Sequence, residues 1–202
     1  MTEQKNYKKT LVACYLGFVT QAISANFTPL LFLTFKSTYG ITLEKIALIP
    51  LAFYLAQLLI DLAATSFADK IGYRTCVVAS QVLSAAGLMA MAFLPELLSA
   101  PFVGILISVV LYAIGSGLIE VLVSPIVEAC PFENKDGMMS LLHSFYCWGA
   151  LGVNFRLHTF FCRVWLGKLE NPLRLSGHLC HYITHLTLCT VRLNDWLKRA
   201  RV

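Results

Sequence analysis

The sequence predicts an all-α membrane protein whose helices cross the bilayer several times. Hydrophobic residues make up 57% of the chain and charged residues only 13%, about half the charged share of a typical soluble domain. The apolar residues fall in long runs, without the three- and four-residue spacing of an amphipathic soluble helix. A charged turn at 66–74 separates two of these runs. Each run of about 20 residues is long enough to cross roughly 30 Å of hydrocarbon as a helix.

The apolar runs define five candidate spans. They lie at about 10–35, 46–67, 75–94, 98–127 and 137–153. The first run is too long for the core of a cleaved signal peptide and ends without a small-residue cleavage site, so it is predicted to be a permanent span.

The lysine and arginine positions predict the orientation of the spans. Positive loops stay on the cytoplasmic side. Three lysines precede the first span, and Lys70 and Arg74 lie between the second and third, whereas the 95–101 loop has no positive residue. Lys36 and Lys45 in the first loop run against this pattern. The prediction is a multi-pass protein of the cell membrane with a cytoplasmic amino terminus.

Small residues mark the faces on which helices pack closely. They are concentrated at 84–87 in the third span and at 113–117 in the fourth. Without large side chains the backbones of two membrane helices can approach each other. These two segments are therefore predicted to lie at helix–helix contacts.

Two carboxylates lie inside predicted spans, where a charge costs at least ~2.5 kcal/mol. Glu120 lies within the fourth span and Asp61 within the second. A buried carboxylate can take up and release a proton as its surroundings change between wet and dry. Glu120 is predicted to serve a proton or solute pathway, with structural pairing to another helix as the alternative. Asp61 lies near the cytoplasmic end of its span, where a structural role is favoured.

Other polar side chains of the spans are candidates for lining a cavity. They are Gln21 and Asn26 in the first span and His143, Tyr146 and Trp148 in the fifth. For each of them, a role in helix packing is the alternative.

The loop between the second and third spans carries a recognisable motif. Asp69, Lys70, Gly72 and Arg74 follow the order acid, base, x, Gly, x, base. This motif resembles the signature loop of the major facilitator superfamily of secondary transporters. Thr65 stands where that motif usually has its first glycine.

Two further segments resemble the fucose permease-like branch of that superfamily. One is 115–120, ending in Glu120 and followed by Ser124-Pro125; the other is 142–150. The resemblance implies the amino-terminal part of a six-helix bundle and secondary transport of a small polar solute, a sugar in this branch. It also implies proton coupling at Glu120, and it implies neither an enzyme nor a cofactor. The acid that this branch carries on span one has no counterpart here, and Asn26 is the nearest polar residue.

The composition changes after about residue 152. Residues 1–152 hold eight Lys and Arg against nine Asp and Glu, whereas 153–202 hold eight against two. A shift in reading frame near residue 153 would produce such a change, which predicts a partial bundle at 1–152 and an inactive, incomplete transporter. The alternatives are a true basic tail on anionic lipid and a non-transporting membrane fragment that associates with another membrane protein.

The basic tail carries one group of metal-ligating residue types. It consists of His178, Cys180, His181 and His185. Their spacing matches no standard zinc framework, so no metal site is predicted. The tail has no recognisable nucleic-acid-binding module either, so the expected partners are the lipid bilayer, a small polar solute and protons.

Overall fold

Helices make up the regular structure of the described chain. The computed structural model describes residues 2–166, and this segment contains no strand. The helices are α1 (Thr2–Leu30), α2 (Phe32–Tyr39), α3 (Leu43–Ile71), α4 (Tyr73–Leu97), α5 (Pro101–Ala129) and α6 (Lys135–Leu166). The all-α prediction is confirmed.

Four helices of the described segment are long and apolar enough to cross a membrane. They are the Thr10–Leu30 part of α1 and the whole of α3, α4 and α5. The fifth predicted span, 137–153, lies inside α6, which is not among these four. Polar residues such as His143 and Asn154 interrupt the apolar run of α6, and its span stays a prediction.

The first predicted span, 10–35, is divided into two helices at Leu31. Pro29 has no backbone N–H and cannot make the regular helical hydrogen bond. The N–H of Leu31 donates to the carbonyl oxygen of Thr28 at 2.9 Å, which tightens the chain into a turn of the 3₁₀ type. The end of the apolar run therefore belongs to the separate helix α2.

The central helix of the described bundle is α5. It packs against α4, α3 and α1 and touches α6, and α1 and α6 pack against each other. Ile105, Tyr112 and Ile119 of α5 are almost completely buried. Helix α3 turns many apolar side chains outward: Leu48, Leu51, Leu55, Leu58, Leu59 and Leu62. A continuous exposed apolar face of this kind is typical of contact with lipid or with another membrane helix.

Glycines bring α4 and α5 to backbone contact. A Cβ built on Gly87 would lie 2.7 Å from the Cβ of Tyr112, and one built on Gly115 would lie 2.6 Å from the carbonyl oxygen of Ser80. Side-chain carbons do not approach other atoms so closely, so these positions accept only glycine without a shift of the helices. The packing role predicted for the small residues of both helices is confirmed.

The last described helix, α6, continues past Gly152 and ends at Leu166. The change in charge at about residue 152 therefore does not coincide with the end of a helix. The division of the chain into 1–152 and 153–202 stays a prediction. The group of histidines and a cysteine at 178–185 lies outside the described residues.

Candidate functional site

Glu120 of α5 forms the centre of a polar cluster between three helices. Its carboxylate oxygen Oε2 accepts a hydrogen bond from Nε2 of Gln21 in α1 at 2.7 Å. The same oxygen accepts a second hydrogen bond from Nε2 of Gln57 in α3. Two amide N–H donors on one oxygen stabilise the carboxylate and fix its position. The structure thus brings together Gln21 and Glu120, which the sequence analysis predicted as separate candidate residues.

Asp61 lies next to this cluster on α3, one helical turn after Gln57. Its Oδ1 atom is buried and has no hydrogen-bond partner. A Cβ built on Gly117 would lie 2.7 Å from this oxygen, so Asp61 faces the backbone of α5 one turn before Glu120. Asp61 and Glu120 interact electrostatically. The two acids therefore lie at the same contact between α3 and α5.

Helix α6 closes another side of the cluster with aromatic and imidazole rings. The ring of Phe18 in α1 meets that of His143 edge to face, with centroids 5.6 Å apart, and lies 6.4 Å from that of Tyr146. His143 interacts electrostatically with Glu120. Tyr146 also interacts with Glu120, so α6 supplies an imidazole and a phenol beside the carboxylate.

Asn26 and Trp148 have their observed partners away from the two carboxylates. The side chain of Asn26 donates to the carbonyl oxygen of Ala22 at 2.8 Å and interacts with Tyr146. Trp148 is 58% exposed and packs against Phe145, with ring centroids 5.2 Å apart. Neither side chain is hydrogen-bonded to Glu120 in the described part of the chain, so both lie at the edge of the cluster and take no part in its hydrogen bonds.

Gln57 is the site residue that the sequence analysis missed. It stands within the apolar run of α3 as an uncharged side chain, and such residues seldom signal a site by themselves. Its position four residues before Asp61 puts both on one helical face. That spacing was the available signal, because the same face of α3 would then present an amide and a carboxylate to α5.

The cluster opens on one exposed face of the bundle. Glu120 and His143 are exposed, and Gln57 and Asp61 are half-buried. The ionisable side chains that interact with Glu120 are Asp61, His143 and Tyr146, and no described lysine or arginine side chain is among them. This arrangement can accept a proton and can bind the polar N–H or O–H groups of a solute.

The comparison with protein families identifies the chain. The family model described as Major Facilitator Superfamily matches residues 13–165, which is well over half of the 202 residues. The chain belongs to the Major Facilitator Superfamily. Comparisons with curated proteins and with solved structures give no match.

Membership of the Major Facilitator Superfamily makes the chain a multi-pass membrane protein of a transporter family. Its all-helical fold is that of the amino-terminal part of a bundle of this superfamily. The lipid bilayer and a small solute are the partners that such a fold implies. Members of the superfamily are transporters and not enzymes.

The loop that resembles the superfamily signature is a single-residue link between α3 and α4. Gly72 adopts a φ of 92°, which L side chains rarely adopt, and its N–H donates to the carbonyl oxygen of Ala68 at 2.9 Å. The hydroxyl of Tyr73 donates to Oδ1 of Asp69 at 2.9 Å. Lys70 and Arg74 are exposed. The glycine of the motif makes the sharp turn, and its charged residues project at the end of the helix pair.

Proposed function

We propose that the chain forms one wall of a secondary transporter for a small polar solute and that Glu120 carries the coupling proton. The observation behind this proposal is the carboxylate of Glu120, which receives hydrogen bonds from Gln21 and Gln57 on the open face of the bundle. A carboxylate inside a span is costly unless it is protonated or paired. With no lysine or arginine beside it, protonation is the way in which Glu120 loses its charge.

A sugar is the solute class that we propose, in line with the resemblance to the fucose permease-like branch. Amide groups of Gln21 and Gln57 donate to the carboxylate of Glu120, and hydroxyl groups of a sugar pair well with amide and carboxylate groups. The aromatic ring of Tyr146, which interacts with Glu120, suits the apolar face of a sugar ring. Saturable binding of members of a panel of radiolabelled monosaccharides to the purified protein tests this class; no binding by any of them would contradict it.

Alternating access requires a second bundle that faces the first. Glu120 and His143 of the cluster are exposed in the described bundle, and a second bundle would have to cover them. We therefore expect no saturable uptake by liposomes that contain the purified 202-residue chain alone. Saturable uptake above that of empty liposomes would contradict this expectation and would show that the chain is a complete small transporter.

The alternative function is a non-transporting membrane protein that acts through association with another membrane protein. The exposed leucines along α3 favour this alternative, because they offer a continuous apolar face to a partner helix. Crosslinking in native membranes and solute binding by the purified chain together distinguish the two functions. A specific crosslinked partner without solute binding supports the association function. Solute binding by the isolated chain supports the transporter function.

The proposed topology places the amino terminus and the 70–74 loop in the cytoplasm. Because α4 is a single span, its two ends lie on opposite sides of the membrane. In a background without native cysteines, we expect Ser99→Cys to react with an impermeant maleimide on intact cells and Lys70→Cys to remain unlabelled. Both variants should react once the cells are permeabilised. Labelling of Lys70→Cys on intact cells would invert the topology.

A further inference from the structure

Gln81 of α4 is a polar side chain that the fold buries without a hydrogen-bond partner. It is only 1% exposed, and its Nε2 and Oε1 atoms both lack a partner. An amide in such a place is costly, because it has left water and has gained no hydrogen bond in exchange. A buried polar group without a protein partner indicates an ordered water or another ligand that satisfies it.

The space beside this amide lies between α1, α4 and α5. A Cβ built on Gly17 of α1 would lie 3.7 Å from Nε2 of Gln81. The same Cβ would lie 3.8 Å from Cγ2 of Ile119 and 3.9 Å from Cγ2 of Val123 in α5. These are ordinary contact distances, so a methyl group would fit there, and a water oxygen is smaller than a methyl group. The glycine at position 17 therefore leaves a space of this size next to the amide of Gln81.

Gln21 extends toward the same space from the next turn of α1. Gly17 and Gln21 are four residues apart on one face of the helix, and a helical side chain lies over the turn that precedes its own Cα. Nε2 of Gln21 donates to Glu120, and a carboxylate can only accept, so Oε1 is the atom that stays free. This oxygen is buried and has no partner. A free acceptor of Gln21 and a free donor of Gln81 thus meet the same turn of α1.

The chemistry of these free atoms identifies the ligand. The amide N–H groups of Gln81 repel a cation, and the free oxygens of Gln21 and Gln81 repel an anion. The side chains of Ile119 and Val123 beside the space are apolar and offer no charge. Water both donates and accepts, so it satisfies the two amides together, and it does so whichever way the amide of Gln81 is turned.

We propose that Gln81 binds one buried water molecule, which donates a hydrogen bond to Oε1 of Gln21. The water keeps the amide of Gln21 turned with its N–H toward Glu120, which makes Gln81 a positioning residue for this carboxylate. The water site does not depend on solute transport. Its importance for Glu120 as a proton carrier rests on the proposed function.

Magic-angle-spinning NMR of the 202-residue chain in lipid bilayers tests the water site. The measurement is the transfer of magnetisation from water protons to the amides of isotope-labelled glutamine side chains. The chain contains four glutamines, at positions 4, 21, 57 and 81, and Gln4→Ser, Gln21→Met and Gln57→Met assign the signal of Gln81 by elimination. We expect transfer to the buried Gln81 to be as fast as transfer to Gln57, which is half-buried. A Gln81 amide that receives no magnetisation in that time would overturn the proposal.

Replacement of Gly17 by alanine should displace the water. The new Cβ makes ordinary contacts, so the bundle should keep its fold, but the methyl group fills the space beside Gln81. We expect transfer from water to Gln81 to be lost and transfer to Gln57 to be unchanged. Gly152→Ala is the matched control, because its Cβ would meet nothing within 4 Å, and it should change neither. Unchanged transfer to Gln81 in Gly17→Ala would contradict a water in this space.

Replacement of Gln81 by methionine tests the positioning of Gln21. Methionine is similar in length and has no amide, so we expect the Gln21 amide to lose its transfer from water and to change its chemical shift. Gln57 donates to the same oxygen of Glu120 and should keep both. Gln81→Asn retains an amide and should restore the water contact of Gln21. A Gln21 signal that Gln81→Met leaves unchanged would exclude Gln81 as its positioning residue, and Gly17→Ala decides the same point if the methionine variant fails to fold.

The failure of this inference is distinguishable from failure of the proposed function. Water contact at Gln81 in a chain that binds no solute would leave the water site and exclude the transporter function. A dry Gln81 in a chain that binds solute would leave the proposed function and exclude the water site.

Discussion

Replacement of Glu120 by glutamine is expected to abolish proton-driven uptake and to preserve solute exchange. The experiment uses a full-length superfamily member that keeps the arrangement of Gln21, Gln57 and Glu120. Glutamine has nearly the same shape as glutamate, but its neutral amide does not take up a proton near neutral pH. Exchange of internal for external solute needs no net proton release and should continue, whereas uptake driven by an acid exterior should fall to the level of empty vesicles.

The control for this experiment is a carboxylate outside the cluster. Glu96 lies at the end of α4 and is exposed, so Glu96→Gln changes the charge of the bundle by the same amount. Its uptake should keep the pH dependence of the wild type. Unchanged pH dependence in Glu120→Gln would reduce Glu120 to a structural partner of the two glutamines.

Replacement of Gly115 by alanine is expected to destabilise the bundle by about 1–3 kcal/mol, the usual cost of overpacking a tight interior. The added Cβ would lie 2.6 Å from both the carbonyl oxygen of Ser80 and the backbone nitrogen of Ser84. Backbone atoms cannot move aside as a flexible side chain can, so α4 and α5 must separate. Thermal unfolding of the purified chain in detergent measures the loss.

Two other glycines serve as matched controls for Gly115. A Cβ on Gly17 would lie 3.7 Å from Nε2 of Gln81, an ordinary contact, and one on Gly152 would meet nothing within 4 Å. Alanine in a helix is favoured over glycine by roughly 0.5–1 kcal/mol, so Gly152→Ala should be neutral or slightly stabilising. If all three variants unfolded at the same temperature, the tight contact of α4 with α5 would not limit stability.

The sequence predicted the spans of this protein better than the contacts between them. Long apolar runs predict α3, α4 and α5 because a span needs a run of fixed length. The glycines at 87 and 115 were predictable as packing positions, since small residues have few other uses inside an apolar helix. The break at Leu31 was missed because proline is often tolerated inside membrane helices, so Pro29 alone did not predict the end of a helix.

The pairing of side chains at the site could not be read from the sequence. Glu120 was evident as a lone carboxylate in an apolar run, but its partners depend on how α1 and α3 rotate against α5. Gln21 was named and Gln57 was not, although both donate to the same oxygen. Trp148, named with them, lies outside the cluster because α6 turns it toward the exterior.

The central position of α5 has a consequence for the order of assembly. Helices α3 and α4 are joined by the single residue Gly72 yet contact each other little, and each packs mainly on α5. The first helices to leave the ribosome therefore have almost no interior of their own. Until α5 is inserted, Gln57 and Asp61 lie in the bilayer without the helix that covers them. Gln21 likewise lacks Glu120, the carboxylate to which it donates a hydrogen bond. Insertion of α5 therefore forms the polar site and the packed interior of the bundle in the same step.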